Sequence, residues 1–214
     1  PGREVAGTFG EADSRQVWYY KSPGNERVTI TAIAAEDAFD LDVALRVVAP
    51  NGAELTFVAD DEEGFLFNPL DAQLRELLLQ QPGNYAIIVE RQDGTGEYRL
   101  GVSAPQTLEL AAGTTTRNGA IRESLPAQRY TFSASGGQTL TITLSANSGT
   151  LDPLLRLLDA NGNVLVENDD AEENDLGTDA QIYQFSIPFS STYTIEAGRF
   201  DGEGEYTLEI TVNP

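Results

Sequence analysis

Two acidic loops carry the side chains best suited to binding a cation. Each loop follows an apolar run typical of a strand and supplies three aspartates: Asp60, Asp61 and Asp71 in the first loop, Asp169, Asp170 and Asp179 in the second. Ca²⁺ takes about six to eight oxygen ligands from carboxylates, carbonyls and water. Carboxylates this close together repel one another unless water or a cation screens them. We therefore predict calcium sites here; the alternative is a solvated loop whose aspartates accept hydrogen bonds from turn amides.

Other carboxylate motifs are interpreted as structural. Residues 159–163 begin like an EF-hand loop, but Val164 stands at the sixth position, where that loop requires glycine. Asn161-Gly162 is instead typical of a hairpin turn. Asp42 and Asp152 stand at the starts of predicted strands, and we interpret them as turn or backbone partners rather than catalytic acids.

The composition excludes several classes of protein. The 214 residues include no His, Cys or Met, which excludes a Ser-His-Asp triad, a cysteine nucleophile and the usual zinc, copper or haem sites. A formal net charge of −21 disfavours nucleic acid and anionic membranes as partners. Lys21 is the single lysine, so isopeptide cross-linking of the kind found in surface adhesins is nearly excluded. A hydrolase that uses two carboxylates remains an alternative, although no motif places such a pair in one cleft.

The chain is a tandem repeat. Residues 41–48 match residues 151–158, and Asn51-Gly52 matches Asn161-Gly162. Residues 71–73 match 179–181, and 94–98 match 202–206. Matches that recur at a nearly constant offset are the signature of an internal repeat, so we expect two copies of one domain. The boundary falls near Ala104-Pro105, giving domains 1–104 and 105–214.

Strand signals recur in both copies. Residues 28–31 and 140–143 alternate apolar and polar side chains, as half-buried strands do. Leu70, Leu74, Leu77 and Leu78 have helical spacing, but the matching stretch 183–188 alternates and ends at Pro188, so both are predicted to be strands. The predicted fold is all-β: two tandem antiparallel β-sandwiches of jelly-roll type.

The two copies differ at their beginnings. Aligning Trp18 with Tyr130 places Pro1 opposite Gly113, so the strand expected at 107–111 has no counterpart in the first copy. The first domain is thus predicted to lack an opening strand and to leave a sheet edge that another strand could complete. Trimming or simple divergence is the alternative explanation.

The order of features in the second copy resembles a known family. An aromatic strand at 130–132 is followed by strands at 140–143 and 151–157, then by residues 159–162, by Asn168-Asp169-Asp170 and by the closing pattern Gly-x-Gly-x-Tyr-x-Leu at 202–208. This series is similar to the bacterial pre-peptidase C-terminal domain, a β-sandwich appended to secreted proteases and other exported proteins. The first copy departs from it by reading Ala59-Asp60-Asp61. Some relatives, the collagen-binding domains of clostridial collagenases, bind calcium and collagen, but their calcium ligands and contact tyrosines have no match here.

The resemblance implies an extracellular accessory module without catalytic activity, which binds matrix, polysaccharide or a partner protein. The alternative is a structural subunit that assembles with itself into a surface layer or filament through the open edge of the first domain. No apolar run approaches the roughly 18–20 residues that span a bilayer, so membrane insertion is not expected. The chain begins without a signal-like segment, so any export signal is expected to have been removed or to lie outside it.

Overall fold

The computed structural model describes residues 3–38, 40–59, 70–170 and 178–213, in which the regular structure consists of strands. It divides into two compact units at the Ala104–Pro105 junction. The described residues contain no helix that is long and apolar enough to cross a membrane.

The described residues of the first unit form eight strands. They are β1 (Arg3–Phe9), β2 (Arg15–Ser22), β3 (Glu26–Ala34), β4 (Asp42–Val48), β5 (Glu54–Val58), β6 (Ala72–Leu79), β7 (Gly83–Asp93) and β8 (Gly96–Ser103). They form two antiparallel four-stranded sheets, in the orders β1-β8-β3-β6 and β2-β7-β4-β5.

Nine strands lie in the described part of the second unit. They are β9 (Gln106–Leu108), β10 (Gly113–Ile121), β11 (Ala127–Ala134), β12 (Thr139–Ala146), β13 (Asp152–Leu158), β14 (Val164–Asn168), β15 (Ala180–Ser186), β16 (Ser191–Asp201) and β17 (Gly204–Asn213). One sheet has the order β10-β17-β12-β15, and the other has the order β14-β13-β16-β11-β9.

Each unit buries one apolar core between its two sheets. In the first unit Ile30 and Leu100 come from one sheet and Leu45 and Ile87 from the other, all almost fully buried. The second unit repeats this arrangement, with Ile142 and Leu208 facing Leu155 and Ile195. Alternate residues of a strand point to opposite faces, so the period-two patterns place one apolar face of each sheet inward. The predicted all-β sandwich fold is confirmed.

A β-bulge explains the helical spacing of the leucines in β6. The pairing of β3 with β6 shifts between Val28 and Ile30: Ile30 lies opposite Leu74, but Val28 lies opposite Leu77. The extra residue lets Leu74 and Leu77, three positions apart, both pack against the core. Glu76 adopts a φ of 52° within this bulge.

The second unit has the same bulge, since Ile142 pairs with Ile182 and Leu140 pairs with Phe185. The strand predicted from the alternation at 183–188 is present as β15. Ile182 and Phe185 are the side chains that reach the core, whereas Tyr183 is exposed. Simple alternation therefore indicated the correct element and the inward positions of Phe185 and Ile187, but not the outward position of Tyr183.

The two units differ at one sheet edge. Strand β11 lies between β16 and the short strand β9, which runs parallel to it. The equivalent strand of the first unit, β2, pairs with β7 alone among the described residues and ends its sheet. The alignment of the two strands follows from their partners: Trp18 faces Ile87 as Tyr130 faces Ile195, and Tyr20 faces Tyr85 as Phe132 faces Tyr193.

Candidate functional site

The acidic loop of the second unit begins directly after β14. Asp169 uses its side-chain oxygen Oδ1 to accept a hydrogen bond from the Asp170 backbone N–H at 3.1 Å. Asn168 ties the loop to its surroundings, because its amide group donates to the Asp170 carbonyl oxygen at 2.8 Å and accepts from the Gln181 N–H at 2.8 Å. Asp60 and Asp61, the predicted ligands of the first loop, lie outside the described residues.

Asp71 and Asp179 bind backbone amides. Asp71 Oδ1 accepts a hydrogen bond from the Ala34 N–H at 2.8 Å, and Asp179 Oδ1 accepts one from the Ala146 N–H at 3.0 Å. Ala34 and Ala146 are the last residues of β3 and β12. Each aspartate therefore fixes the end of an inner strand, the structural role that the sequence offered as an alternative to calcium.

The described residues contain no group of three or more acidic side chains arranged to hold a metal ion. Part of each acidic loop lies outside the described residues, so the assignment of the six aspartates as calcium ligands stays a prediction. Calcium binding by these loops likewise stays a prediction.

Asp152 shares the electrostatic environment of the second loop. Its Oδ1 atom is buried and has no hydrogen-bond partner among the described residues. Burial first, and then the charges of Asp170, Asp169 and Asp201, raise the pKa of the Asp152 carboxyl above its usual value. The interpretation of Asp152 as a turn or backbone partner stays a prediction, because part of the neighbouring loop lies outside the described residues.

A ladder of charged side chains crosses the sheet of the second unit. Glu196 on β16 contacts Arg129 Nη2 at 2.6 Å and Arg156 Nη1 at 3.1 Å, and Arg156 Nε contacts Glu167 at 2.9 Å. The Glu196 side chain is only 5% exposed, so the two guanidinium groups offset its desolvation. Sequence patterns gave no signal of this ladder, because its members lie on four separate strands. Its carboxylates serve as ion-pair partners, which is a structural role.

The first unit uses different partners at the equivalent place. Arg46 on β4 contacts Glu90 Oε1 at 2.7 Å and also pairs with Glu54. Its guanidinium lies 4.8 Å from the centre of the Phe57 ring, a cation–π contact. These contacts join β4, β5 and β7 on the face of the sheet that is turned away from the core.

The tyrosines that follow the glycine pairs bind side chains. Tyr206 Oη lies 2.7 Å from Tyr130 Oη, and in the first unit Tyr98 Oη accepts a hydrogen bond from the Trp18 indole N–H at 2.8 Å. Tyr98 also donates to the Gln16 side chain at 2.9 Å. The hydroxyls of Tyr98 and Tyr206 therefore bind side chains rather than backbone.

Two other tyrosines have backbone partners. Tyr85 donates to the Gln81 carbonyl oxygen at 2.9 Å, and Tyr193 donates to the Phe189 carbonyl oxygen at 2.7 Å. In each case the acceptor lies four residues earlier in the chain, as at the corner tyrosines of other β-sandwiches. Trp18 packs against the core of the first unit and is half-buried.

Strand β2 carries the most exposed aromatic side chain among the described residues of the first unit. Tyr19 is 75% exposed and Val17 is 45% exposed, both pointing away from the core. Trp18 and Tyr20, pointing inward, are half-buried. At the equivalent inward positions of β11, Tyr130 and Phe132 are almost fully buried.

Comparisons with known proteins found one family model and several solved structures that are similar to parts of the chain. No curated protein matches the chain in sequence. Among solved structures, the pre-peptidase C-terminal domain of a collagenase from Bacillus anthracis is 15% identical, covers 52% of this chain and 96% of its own, and superposes with a TM-score of 0.40. The g-type lysozyme inhibitor PliG from Aeromonas hydrophila is 16% identical over 51% of this chain and 96% of its own, with a TM-score of 0.38.

The family model of the bacterial pre-peptidase C-terminal domain matches residues 126–199, a segment that runs from the residue before β11 into β16. This segment contains both β13, the strand that carries Arg156, and the acidic loop that follows β14. Residues 126–199 of the second unit are therefore similar to the bacterial pre-peptidase C-terminal domain.

Proposed function

We propose that the chain is a non-catalytic extracellular module that attaches a larger protein or a cell to matrix, polysaccharide or a partner protein. The match of residues 126–199 to the pre-peptidase C-terminal domain is the observation that carries this proposal. Domains that resemble this family are appended to exported proteins, so binding outside the cell is the role that fits both units.

The polar side chains of the two units support a role without catalysis. Glu196 and Glu90 are held by arginines, and Asp71 and Asp179 are held by backbone amides. A general acid or base needs a carboxylate that is placed to reach a substrate proton. These carboxylates instead hold strands together.

The charge of the surface narrows the class of partner. With a formal net charge of −21, the chain repels acidic polymers at long range and attracts basic or neutral surfaces. We expect a neutral polysaccharide or a protein with a basic or uncharged surface to be the attachment target. Calcium bound in the acidic loops would lower the repulsion within the module and stabilise it.

Attachment can be tested with a reporter. Residues 1–214 fused to a monomeric fluorescent protein should be retained, in a saturable way, on one of a panel of immobilised matrix proteins and neutral polysaccharides. The fluorescent protein alone is the control. Equal retention of the fusion and the control on every surface would contradict the proposal.

Self-assembly into a surface layer or filament is the second candidate, favoured by the outer edge of β2, which pairs with no strand in the part of the chain that the structure describes. In this case light scattering should grow with protein concentration, and electron microscopy should reveal ordered polymers of the purified chain. A monomer at all concentrations, with and without calcium, would contradict it.

A further inference from the structure

Three Asn-Gly pairs occur in the chain, at residues 51–52, 118–119 and 161–162. Two of them lie at the tips of equivalent hairpins, β4–β5 and β13–β14, and the third lies within β10. Because glycine has no side chain, the backbone nitrogen that follows the asparagine is unhindered and is able to attack the asparagine side chain. The chemistry available to these pairs is therefore deamidation, in which an asparagine loses its side-chain nitrogen.

The two hairpin turns have the same backbone conformation. Gly52 and Gly162 adopt φ values of 85° and 86°. Each donates its N–H to the carbonyl oxygen three residues earlier, Gly52 to Ala49 at 2.9 Å and Gly162 to Asp159 at 3.1 Å. Both asparagines are exposed. A difference in reactivity between the two pairs must therefore come from the hydrogen bonds and charges around the asparagine side chain.

In the first hairpin a backbone donor points at the reacting amide. The Ala53 N–H donates to Asn51 Oδ1 at 3.0 Å. Attack on the Asn51 Cγ atom gives this oxygen a negative charge in the transition state. A hydrogen-bond donor that is already in place where negative charge develops stabilises the transition state. The turn therefore favours deamidation of Asn51.

In the second hairpin the equivalent donor binds a different acceptor. The N–H of Asn163, which corresponds to Ala53, donates to Asp159 Oδ1 at 2.9 Å, and the Asn161 N–H donates to the same atom at 2.8 Å. Hydrogen bonds from the Asn163 side chain and from these backbone amides lower the pKa of the Asp159 carboxyl, so it is charged at neutral pH. A fixed negative charge beside Asn161 opposes the negative charge that deamidation develops. The first hairpin has the uncharged Ala49 at the position of Asp159.

The third pair is held by the sheet. Asn118 Oδ1 accepts a hydrogen bond from Thr207 Oγ1 at 3.0 Å. Gly119 lies opposite Tyr206, whose ring packs directly against it. Deamidation passes through a five-membered ring, which an extended and paired strand does not accommodate. Asn118 is therefore expected to be unreactive while β10 is paired with β17.

We propose that Asn51 is a modification site, which converts spontaneously to aspartate and isoaspartate in the folded chain, and that Asp159 protects the equivalent Asn161. This inference is independent of the proposed attachment function. It assigns opposite outcomes to two copies of one sequence motif.

The reaction needs water and no other reactant. The Gly52 backbone nitrogen attacks Asn51 Cγ, which forms a new C–N bond, and gives up its proton to solvent. The bond from Cγ to the side-chain nitrogen breaks, and this nitrogen leaves as ammonia with a proton from solvent. Water then adds to one of the two carbonyl carbons of the resulting succinimide and opens the ring, giving aspartate or isoaspartate. Either product carries a new carboxylate, and isoaspartate also lengthens the main chain of the turn by one carbon.

Peptide mapping by mass spectrometry measures the three rates in one sample of the full chain, incubated in mildly alkaline buffer. Residue 51 should gain the mass expected for a carboxyl in place of an amide, with isoaspartate visible in its fragment spectra. The rate at residue 51 should exceed the rate at residue 161 by about two- to tenfold, as expected for one neighbouring charge near the surface. An unmodified residue 51, or a rate at residue 161 that equals or exceeds it, would overturn the proposal.

The same chain in guanidinium chloride is the control for local sequence. Each of the three pairs is Asn followed by Gly, so their rates should converge once the turns and β10 are unfolded and the charge of Asp159 is screened. A difference between residues 51 and 161 that persists in denaturant would mean that the folded turn does not set the rate, which would contradict the proposal.

Variants of Asp159 test the protection directly. Asp159→Ala removes the carboxylate and releases the Asn163 N–H, so residue 161 should react about two- to tenfold faster. Alanine fits this turn, because Ala49 stands at the equivalent position. Asp159→Asn removes the charge but keeps an acceptor oxygen, and its rate should lie between those of the unmodified chain and Asp159→Ala.

A matched variant controls for net charge. Glu209→Gln removes one charge from the exposed surface of β17 and should leave the rate at residue 161 unchanged. The same acceleration in Glu209→Gln as in Asp159→Ala would show that overall charge, and not Asp159, governs the reaction. An unchanged rate in Asp159→Ala would overturn the protective role of this carboxylate.

Discussion

A hydrogen bond between two tyrosine hydroxyls lies within the core of the second unit. Tyr206 and Tyr130 are almost fully buried, and burial together with the Tyr130 hydroxyl raises the pKa of Tyr206. Replacing Tyr206 with phenylalanine would leave the Tyr130 hydroxyl buried without this partner. We expect Tyr206→Phe to lower the free energy of unfolding by about 1–3 kcal/mol, measured by urea denaturation.

The double replacement tests whether the hydrogen bond is the cause. Tyr130→Phe with Tyr206→Phe removes both hydroxyls, so no polar group is stranded and the double variant should be more stable than Tyr206→Phe alone. Tyr19→Phe, at an exposed position, is the control and should change stability by less than about 0.5 kcal/mol. A double variant whose loss equals the sum of the two single losses would argue against coupling.

Asp152 should make the stability of the second unit depend on pH. Because burial and three neighbouring carboxylates raise its pKa, the folded state binds this proton more tightly than the unfolded chain. Its contribution to stability is present below the ordinary aspartate pKa of 3.8 and is lost as the pH rises through the raised value. Asp152→Asn should therefore melt at a higher temperature than the unmodified chain at pH 7 without calcium, and the difference should shrink towards pH 3.8.

If calcium binds beside Asp152, Asp169 and Asp170, it should make the unmodified chain melt at a higher temperature than Asp152→Asn. Millimolar calcium is then expected to raise the melting temperature of the unmodified chain, and a chelator to lower it. Asp152→Asn should lose most of this rise, and Glu205→Gln, on the exposed surface of β17, should keep it. A melting temperature that is indifferent to calcium and chelator would count against the predicted site.

At the scale of residues, the sequence indicates the kinds of side chain in each segment but not which side chains contact one another. The acidic loops followed from local patterns. The hydroxyl pair of Tyr130 and Tyr206 joins strands 76 positions apart in the chain, and Asp152 meets its neighbours only through the fold. No local pattern encodes such contacts, because side-chain partners depend on strand order.

At the scale of elements, the charge ladder links β11, β16, β13 and β14. Removing the charge of Glu196 would leave Arg129 and Arg156 facing each other across a largely buried position. We expect Glu196→Gln to lower the free energy of unfolding by about 1–3 kcal/mol, because charged hydrogen bonds at a buried site are lost. Chemical denaturation followed by circular dichroism measures this difference.

The outer member of the ladder provides the matched control. Glu167 contacts Arg156, but its side chain is 57% exposed, so Glu167→Gln should cost less than about 1 kcal/mol. The two variants differ in burial while sharing the same chemistry. Equal losses would mean that burial of Glu196 does not govern the strength of the ladder.

The strands themselves were largely predictable, because alternation and Asn-Gly turns are local. The bulges in β6 and β15 were not, since an extra residue inside a strand imitates helical spacing in the sequence. Comparison of the two copies favoured a strand over a helix for the leucine-rich segment. It could not reveal that Ile182, rather than Tyr183, faces the core.

At the scale of the whole molecule, duplication is the strongest signal that the sequence carries. Two independent apolar clusters, one in each unit, correspond to the two copies. The strand expected at 107–111 is present as β9, but its parallel pairing with β11 was beyond prediction, because an alternating pattern does not reveal the partner of a strand. Its importance emerges only when β2 and β11 are compared in their sheets.

Two separate cores imply two separable unfolding transitions. Ile30 and Ile142 occupy equivalent positions on β3 and β12, and both are almost fully buried. Truncating either to alanine should cost about 2–5 kcal/mol in its own unit. For domains of this size that corresponds to a fall in melting temperature on the order of 10 °C or more. In differential scanning calorimetry, Ile30→Ala should lower one transition and Ile142→Ala the other, leaving the remaining transition in place. A single transition that both variants shift equally would mean that the two sandwiches unfold as one cooperative body.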